Sequence, residues 1–346
     1  MFNESGFVNT TPAQCGVAVR RFLKNYFGKD MPDISVILVS YNTIEMTKTA
    51  LSHLFSSSPH LEMEVIVIDN ASKDNSAETL RQEYPQIRLI ENKKNVGFGR
   101  ANNQALPFIK SRYVLLLNTD AFVEPDTIAK TVQYMDANPK CGILGVKLFG
   151  CDGVLQPSCR FFPTPWNLFL SRTGLKRIFK GTKMVDDMSW DHAAVRDCDW
   201  VPGCYYLVRK EVIDQVGLFD ARYFLYSEEM DHCFATKKAG WQVIYYPYTS
   251  VVHIGGESAK SDGEITASGR QISSLQIESE LLYFRKNCGL VASIANVFLT
   301  SLADFIVILK DIARFKRPEW LYLRLMHSFI VWKCFFQTRM GKKPIH

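Results

Sequence analysis

Ile34-Ser-Val-Ile-Leu-Val-Ser-Tyr-Asn42 is the stretch that decides the fold of this chain. Its first six residues are mostly β-branched, which is typical of a buried strand, and residues 43–55 follow with a helical pattern. The same alternation continues along the chain. Further strands are predicted at residues 64–68, 87–90, 113–117, 142–148, 207–209 and 242–246, with helices at 74–84, 99–109 and 126–138. The pattern predicts an α/β fold in which helices cover both faces of a mostly parallel sheet.

Polar residues follow three of the predicted strands at the point where each strand ends. These residues are Tyr41-Asn42, Asp69-Asn70 and Asn118-Thr119-Asp120. Parallel sheets bind ligands outside the carboxyl ends of their strands, so we expect a ligand site there. The alternative is that Asn and Asp only form turns and cap helices. That alternative explains the three strand ends together less well than it explains any one of them.

Composition and charge narrow the class of protein. The chain has 346 residues, of which 47% are apolar, and a net charge of +6. Residues 310–346 carry nine Lys or Arg against two acidic residues, so the rest of the chain is nearly neutral. A globular protein with a basic C-terminal region is expected, and the main body is not a general polyanion binder. No nucleic-acid partner is predicted.

Cysteine usage and the N-terminal residues bear on the compartment. The nine cysteines are odd in number and show no C-x-x-C spacing, which argues against a zinc ribbon or a disulfide framework. Such thiols are typical of a reducing compartment. Residues 1–32 show no apolar region of a signal peptide and contain a short basic amphipathic stretch instead. A cytoplasmic protein is therefore expected.

Two common nucleotide-binding motifs are absent from the sequence. A nicotinamide-type dinucleotide site needs G-x-G-x-x-G directly after the first strand, where this chain has Ser40-Tyr-Asn-Thr43. Gly97-Phe-Gly99 follows the third strand, but Asn102 occupies the position of the third glycine. A Walker A sequence is also lacking. A bound nucleotide must be held in another way.

An ordered series of short motifs resembles family 2 glycosyltransferases. The nucleotide-binding half of that family is matched by Ser35-Val-Ile-Leu-Val-Ser-Tyr-Asn42, Val67-Ile-Asp-Asn-Ala-Ser-Lys-Asp74 and Asn95-Val-Gly-Phe-Gly-Arg-Ala-Asn-Asn103, and its D-x-D region by Leu115-Leu-Leu-Asn-Thr-Asp-Ala121. Its acceptor half is matched by Trp200-Val-Pro-Gly203, Gly217-Leu-Phe-Asp220, Tyr226-Ser-Glu-Glu-Met-Asp231 and Val252-His-Ile-Gly-Gly256. The series is most similar to the rhamnosyltransferase-like branch. It implies a Rossmann-like GT-A domain over residues 33–258, with a nucleotide-binding half (33–121), an acceptor half (199–258) and an inverting mechanism.

The resemblance implies a set of donor contacts at the strand ends and in the glycine-containing turn. They are Tyr41, Asn42, Asp69, Asn70, Gly97, Asn102, Asn103, Asn118 and Asp120. Asp69 is expected to hold the base or ribose of the nucleotide-sugar. Gly97 would let the backbone approach the diphosphate.

The resemblance also implies a divalent metal, Mn2+ or Mg2+, held by Asp120 and His253. A diphosphate leaving group needs a hard cation, which prefers carboxylate, imidazole and water ligands. The first Asp of the family's D-x-D is Asn118 here, so Asp120 is the main expected ligand. A lone His at a strand end is more often structural, but the resemblance favours His253 as a ligand.

An inverting transfer needs one general base, and the acidic cluster Glu228, Glu229 and Asp231 is the candidate. The family's base is the Asp of an E-D pair, which is Glu229 in this chain, with Glu228 and Asp231 as substitutes. We expect neighbouring charge and partial burial to raise the pKa of Glu229. The alternative is that acids simply favour the first turn of a helix.

Two further residues are candidates for the acceptor site. Trp200 is placed to stack on a sugar ring or to be a buried structural residue, and the sequence does not favour one over the other. Gly203 belongs to the same motif. The acceptor class implied by the resemblance is a glycan or a glycolipid.

Residues 259–346 are predicted to form a C-terminal helical region. Within residues 290–309, Ser293, Asn296, Thr300 and Asp304 form one narrow polar stripe on an otherwise apolar helix. This favours an interfacial or a core-packing helix over a membrane-spanning one. Basic and aromatic residues follow, so contact with a membrane surface is preferred over packing on the domain or on a second subunit in a homo-oligomer.

Three functions compete at this point. The first is transfer of a sugar, with dTDP-rhamnose as the donor suggested by resemblance alone. The second is a nucleotidyltransferase, which would carry a Gly-rich and basic loop after the first strand. The third is a non-catalytic glycan-binding relative, which would have had no reason to retain Asp120 and the acidic cluster.

Overall fold

The computed structural model describes residues 32–179, 181–255, 274–315 and 318–345. Of the predicted N-terminal segment 1–32, residue 32 is described and residues 1–31 lie outside the described residues. Residues 256–258, at the end of the predicted GT-A domain, also lie outside them.

Ten strands of the described chain form one sheet. They are β1 (Ile34–Ser40), β2 (Met63–Asp69), β3 (Arg88–Glu91), β4 (Tyr113–Leu117), β5 (Ala121–Val123), β6 (Cys141–Phe149), β7 (Leu155–Gln156), β8 (Arg196–Asp197), β9 (Tyr205–Arg209) and β10 (Gln242–His253). The order is β3-β2-β1-β4-β9-β6-β10-β5, with β7 beside β6 and β8 beside β10. Strands β3 to β4 are parallel, and β9 runs antiparallel between β4 and β6.

Helices surround this sheet, as the alternating pattern predicts. They are α1 (Ile44–Ser56), α2 (Ser76–Glu83), α3 (Phe98–Asn103), α4 (Thr127–Ala137), α5 (Pro165–Thr173), α6 (Lys210–Val216), α7 (Glu228–Lys238), α8 (Ser274–Tyr283), α9 (Gly289–Ala313) and α10 (Pro318–Gln337). A π-helical turn, Phe284–Cys288, joins α8 to α9. The predicted α/β fold with a C-terminal helical appendage is confirmed.

The central strands are buried on both faces because successive side chains point to opposite sides. One core contains Val36, Leu38, Val65 and Val67, and the other contains Ile37, Ile66 and Ile68. Covering both faces explains why these strands are continuous apolar runs and not alternating ones.

Two predicted elements differ from the structure for identifiable reasons. The predicted helix 99–109 ends at Asn103 and is followed by a short 3-10 turn, because Pro107 lacks the N–H that a longer helix would need. The predicted strand 242–246 continues to His253 after a register shift between Tyr246 and Ser250, where Pro247 interrupts the pairing. That shift brings the end of β10 beside β5.

Helix α5 lies in the irregular segment between β7 and β8 and supports the C-terminal helices. Its start is fixed by a reciprocal pair in which the Asn167 amide donates to Thr164 Oγ1 at 3.0 Å and the Thr164 amide donates to Asn167 Oδ1 at 2.8 Å. Phe169 and Leu170 of α5 pack against Ala303 of α9. The C-terminal helices therefore pack directly on the part of the chain that carries the sheet.

Candidate active site

The polar ends of β1, β2 and β4 meet at one edge of the sheet. Ser40 is paired with Asp69 in the register of β1 and β2, and β4 lies on the other side of β1. Across that edge, Thr43 Oγ1 lies 3.2 Å from Thr119 Oγ1. The strand order reverses at β1, which is where sheets of this kind open a ligand crevice.

Asp69 is buried at this edge with one carboxylate oxygen engaged and one free. Its Oδ2 accepts a hydrogen bond from the Ser72 amide at 3.1 Å. Its Oδ1 is buried and has no hydrogen-bond partner among the described residues. Leaving a buried charged oxygen unpaired is costly, so this geometry suits a ligand that brings an N–H or O–H donor.

The neighbouring amides at the same edge hold loops together. Asn42 has a φ of 54° and accepts a hydrogen bond from the Lys73 amide at 2.7 Å. Asn70 donates to Asn95 Oδ1 at 2.8 Å and accepts from the Val96 amide at 3.0 Å. Tyr41 lies half-buried beside them. The side chains of Asn42 and Asn70 thus shape the crevice through protein contacts.

The glycine-containing turn packs on the loop that precedes α7. Gly97 has a φ of 87°, and a Cβ atom there would lie 2.5 Å from the Phe224 carbonyl oxygen. Asn103 Nδ2 donates to the Phe219 carbonyl at 2.7 Å, and its Oδ1 accepts from the Phe219 amide at 3.1 Å. Asn102 is buried and donates to the Phe98 carbonyl at 2.9 Å. The contacts of Gly97 and Asn103 join this turn to the loop before α7, and Gly97 is needed for that approach.

Asp120 and His253 face each other because β5 and β10 pair antiparallel, with His253 opposite Ala121. His253 Nε2 lies 3.6 Å from Asp120 Oδ1. The other oxygen, Asp120 Oδ2, accepts from the Gly255 amide at 3.1 Å. The sheet therefore brings together the two residues predicted as metal ligands.

Gln156 of β7 fixes which nitrogen of His253 carries the proton. Its Nε2 donates to the His253 carbonyl at 2.9 Å, so its Oε1 faces Nδ1 of the ring, also at 2.9 Å. Nδ1 must then donate, which leaves a lone pair on Nε2 directed toward Asp120. Burial lowers the pKa of His253 and outweighs the opposing attraction of Asp120, so the imidazole is neutral.

A carboxylate and a neutral imidazole at this spacing fit a hard divalent cation. Asn118 Oδ1 is buried nearby without a hydrogen-bond partner in the described part of the chain and offers an amide oxygen. Within residues 32–179, 181–255, 274–315 and 318–345, no group of three His, Cys, Asp or Glu is placed to hold a metal. A cation here would take its remaining ligands from phosphate and water, as Mg2+ commonly does.

The acidic cluster begins α7 behind an unusual turn. Tyr226 and Ser227 have φ values of 71° and 66°, a left-handed conformation that non-glycine residues seldom adopt. Such backbone strain is concentrated at functional sites. The turn places Glu228 and Glu229 at the start of the helix, each with a buried Oε2 that has no partner among the described residues.

The two glutamates differ in the charges that act on their pKa values. Burial, with the charge of Glu229 added, raises the pKa of Glu228 well above its usual range. Burial also raises the pKa of Glu229, while the positive charge of Arg160 acts in the opposite direction. When two adjacent carboxyl groups share a buried site, one holds its proton more tightly. Burial and the charge of Glu229 therefore favour the protonated form of Glu228, while Arg160 favours the ionised form of Glu229.

Asp231 is engaged in a separate set of contacts. Its Oδ2 lies 2.6 Å from Lys286 Nζ, and its Oδ1 accepts from Asn287 Nδ2 at 2.8 Å and from the Tyr223 hydroxyl at 3.2 Å. Asp231 thus connects α7 both to the π-helical turn and to Tyr223 in the loop before α7. The carboxylate of Asp231 therefore has no free oxygen for an acceptor hydroxyl, unlike those of Glu228 and Glu229.

The environment of Cys204 is influenced both by the acidic cluster and by Asp120. Its carbonyl accepts from the Asn118 amide at 3.1 Å. Burial raises the pKa of the Cys204 thiol, and the negative charges of Asp120 and Glu229 raise it further.

The two predicted acceptor residues occupy different positions. Trp200 is buried, its Nε1 donates to the Phe161 carbonyl at 2.9 Å, and the Arg160 guanidinium lies 4.3 Å from its ring centre. These contacts match the structural alternative for Trp200. Gly203 faces Glu229, because a Cβ atom at Gly203 would lie 3.9 Å from Glu229 Cβ with nothing nearer. The missing side chain leaves space in front of Glu229.

Three residues of this region were not predicted from the sequence: Gln156, Arg160 and Lys286. Gln156 and Arg160 come from the segment without periodicity, and Lys286 comes from the C-terminal region. None belongs to a motif with a recognisable spacing. Their roles depend on which residue lies opposite them in space, and the sequence carries no local signal of that.

Known proteins similar to this chain agree with the motif series. A sequence profile described as Glycosyl transferase family 2 matches residues 35–190. The chain is 28% identical over 241 residues to the N-acetylglucosaminyl-diphospho-decaprenol L-rhamnosyltransferase of Mycobacterium tuberculosis, which covers 60% of this chain and 76% of that protein. It is 26% identical over 239 residues to rhamnosyltransferase WbbL of Escherichia coli K12, covering 66% of this chain and 86% of that protein.

A solved structure matches the fold over nearly the whole chain. It is a mannosyltransferase from Pyrobaculum calidifontis in complex with GDP-Man and Mn2+, with a TM-score of 0.56, 15% identity and coverage of 96% of each chain. At that identity the similarity concerns the fold, which is GT-A. With the motifs in order along the chain and the profile and relatives in agreement, this chain is a glycosyltransferase that matches family 2 over residues 35–190 and is similar to the rhamnosyltransferases of that family.

Proposed function

We propose that this enzyme is an inverting, metal-dependent transferase that moves L-rhamnose from dTDP-rhamnose to a polysaccharide or lipid-linked glycan. The observation that carries the proposal is that His253 pairs with Asp120 at the strand ends, while Glu229 faces Gly203, whose neighbour Cys204 accepts a hydrogen bond from the Asn118 amide. A leaving-group site and a nearby base are what a single-displacement transfer needs.

The donor would bind along the edge formed by β1, β2 and β4. The unpaired Asp69 Oδ1 would accept from the base or ribose of the nucleotide. Asp120 and His253, with Asn118 beside them, would hold Mn2+ or Mg2+, which would neutralise charge on the departing diphosphate. We assign Asn70, Asn102 and Asn103 to shaping the crevice, since the hydrogen bonds of their amides go to the protein.

Glu229 would take the proton from the attacking acceptor hydroxyl. The space that Gly203 leaves in front of its side chain suits that hydroxyl. Because burial favours the protonated form of Glu228, Glu228 would donate a hydrogen bond, and the negative charge of the pair would lie on Glu229. Asp231 would hold α7 in place.

The choice of sugar and acceptor rests on the relatives. Both relatives described above are named rhamnosyltransferases, and the name of the mycobacterial one gives a diphospho-decaprenol acceptor. A polyprenol acceptor would place the reaction at the cytoplasmic face of a membrane. A nucleotidyltransferase is disfavoured by the absence of a basic glycine-rich loop after β1.

A panel of nucleotide-sugars tests the proposal. Purified full-length enzyme is incubated with dTDP-rhamnose, UDP-glucose, UDP-N-acetylglucosamine and GDP-mannose, each with an N-acetylglucosaminyl-diphospho-polyprenol acceptor and either Mn2+ or a chelator. We expect product with dTDP-rhamnose and metal, and none with the chelator. Transfer from another donor would overturn the choice of sugar. Full activity in chelator would overturn the metal site.

A further inference from the structure

Helix α9 turns its polar stripe toward the protein. Ser293, Asn296, Thr300 and Asp304 recur at intervals of three and four residues, so they lie on one side of the helix, and all four are buried. A surface helix of a water-soluble domain normally buries its apolar side and exposes its polar side. Helix α9 has the reverse arrangement.

Polar partners from neighbouring helices explain why that side faces inward. Asn296 donates to Glu280 of α8 at 2.7 Å, and Arg172 of α5 donates both to Glu280 at 3.2 Å and to Thr300. On α10, His327 and Ser328 bond Asp304 Oδ2 at 2.7 and 2.8 Å. The buried polar side is thus satisfied along most of the helix.

The opposite side of α9 and the matching side of α10 are apolar and exposed. The residues are Phe298, Leu302, Phe305 and Leu309 of α9, and Tyr322, Leu325, Phe329 and Phe336 of α10, each 45% to 65% exposed. We name this set the apolar face. The two rows are continuous, because the Trp332 ring lies 5.2 Å from that of Phe298 and 6.0 Å from that of Phe336. A large exposed apolar surface marks a binding site.

The helix is long and apolar enough to cross a membrane, but its contacts favour a position along the surface. Among the described residues, Ser274–Ala313 is the one helical run that is long and apolar enough to cross a membrane, with a mean hydropathy of 2.0 over an 18-residue window. To span a bilayer, it would have to leave Arg172 and His327 and expose Asn296 and Asp304 to lipid. Lys310, near its end, is also fixed to the Thr173 carbonyl at 2.7 Å.

Charge decides between a membrane and a second copy of the chain. Residues 310–346 carry nine basic and two acidic residues. Lys333 is exposed between Phe329 and Phe336 on α10, and Arg339 and Lys342 are exposed just beyond it. Two copies joined through this face would bring like charges together, whereas an anionic lipid surface would attract them.

We propose that the apolar face is a monotopic membrane-binding surface, which lies in the interface of an anionic bilayer with the polar stripe of α9 turned toward the enzyme. Aromatic residues and leucine would enter the boundary between headgroups and acyl chains, while Lys333, Arg339 and Lys342 would bind anionic headgroups. The binding does not require a substrate, so it can be measured independently of transfer.

The same region touches the candidate active site. Ser279 of α8 donates to the Leu225 carbonyl at 2.7 Å, next to the strained turn before Glu228. Lys286 binds Asp231 of α7. If the acceptor is lipid-linked, which rests on the proposed function, these contacts hold the base at a fixed position relative to the membrane.

Vesicle co-sedimentation of the full-length protein tests the proposal. The probes are phosphatidylglycerol-containing vesicles and pure phosphatidylcholine vesicles. The test variant is the double substitution Phe305→Ser and Phe329→Ser, and the control is Tyr248→Ser, which removes an equally exposed aromatic residue of β10. We expect binding to anionic vesicles to fall at least about tenfold in the double variant and to be unchanged in the control. Lys333→Gln should weaken it about fivefold.

Oligomeric state and folding are measured on the same samples. All variants should keep the wild-type circular dichroism spectrum and melting temperature, because the changed side chains are exposed. Failure of the wild-type protein to bind anionic vesicles would overturn the proposal, as would equal binding by the double variant. A wild-type dimer that the double substitution converts to a monomer would assign the face to a second copy instead.

Discussion

Lys286 Nζ lies 2.6 Å from Oδ2 of Asp231, so the turn between α8 and α9 is bonded to the first turn of α7. Lys286 also lies 2.7 Å from Asp220 Oδ2, at the start of the loop that leads to α7. Burial would raise the pKa of Asp220, but hydrogen bonds from Arg222 and Lys286 outweigh it and hold the pKa well below its usual range. One lysine of the appendage therefore anchors both ends of the segment that presents Glu228 and Glu229.

Replacing Lys286 with Met should destabilise the protein without changing the chemistry of the base. The substitution leaves the buried Asp231 carboxylate without its cation, which costs on the order of 3 kcal/mol. Urea unfolding measures the loss. Lys210→Met is the matched control, because the Lys210–Asp214 pair is exposed and such pairs contribute less than about 1 kcal/mol. Equal stability for the two variants would show that the Lys286 contact is not a structural tie.

The two glutamates of α7 should respond differently to the same substitution. Glu229→Gln keeps the shape but cannot accept a proton, so turnover should fall by roughly 10²–10⁴ with donor affinity nearly unchanged. Glu228→Gln resembles the protonated acid that is already present and should be mild. Turnover measured beside donor titration separates the outcomes. An inactive Glu228→Gln with a normal Glu229→Gln would exchange the two roles.

The pH dependence of activity should report the raised pKa of Glu229. The base works when ionised, so kcat/KM should rise with pH through a midpoint above the ordinary glutamate value of 4.5. Stability should change in the opposite direction. A carboxyl whose pKa is raised by folding contributes stability below 4.5 that is lost as the pH rises through the folded pKa. Melting temperatures of wild type and Glu229→Gln, measured from below pH 4.5 to above the folded pKa, should converge at low pH. An acid limb at or below 4.5 would contradict this assignment.

The sequence predicted where the polar strand ends and the acidic start of α7 lie along the chain. Strand ends follow from local patterns, so Asp69, Asp120 and the start of α7 could be located before their contacts were known. Contacts between distant segments could not be located in this way. Gln156 and Lys286 take their roles from the residues opposite them, and periodicity places the polar stripe of α9 on one side without saying which side faces the protein.

The cause of Glu229's raised pKa was only partly predicted. The raised direction was expected from neighbouring charge and burial, and burial is the main cause in the structure. The negative charge of Glu229 raises the pKa of Glu228, while the positive charge of Arg160 reduces the rise in the pKa of Glu229. Arg160 comes from the irregular segment, so its position near α7 depended on tertiary packing that no local pattern indicates.

Gln156 should control metal binding without being a ligand. Its carboxamide fixes the proton of His253 on Nδ1 and so keeps a lone pair on Nε2, opposite Asp120. Gln156→Leu removes that control at similar size, and we expect the affinity for Mn2+ to fall about 10–100-fold, the usual effect of losing such a partner. Titration of Mn2+ by calorimetry in the presence of dTDP measures it. His253→Ala should bind at least as weakly. Gln104→Leu, which removes an amide whose bonds among the described residues go to Asn92, should bind normally. Wild-type affinity in Gln156→Leu would mean that His253 is not held for a metal.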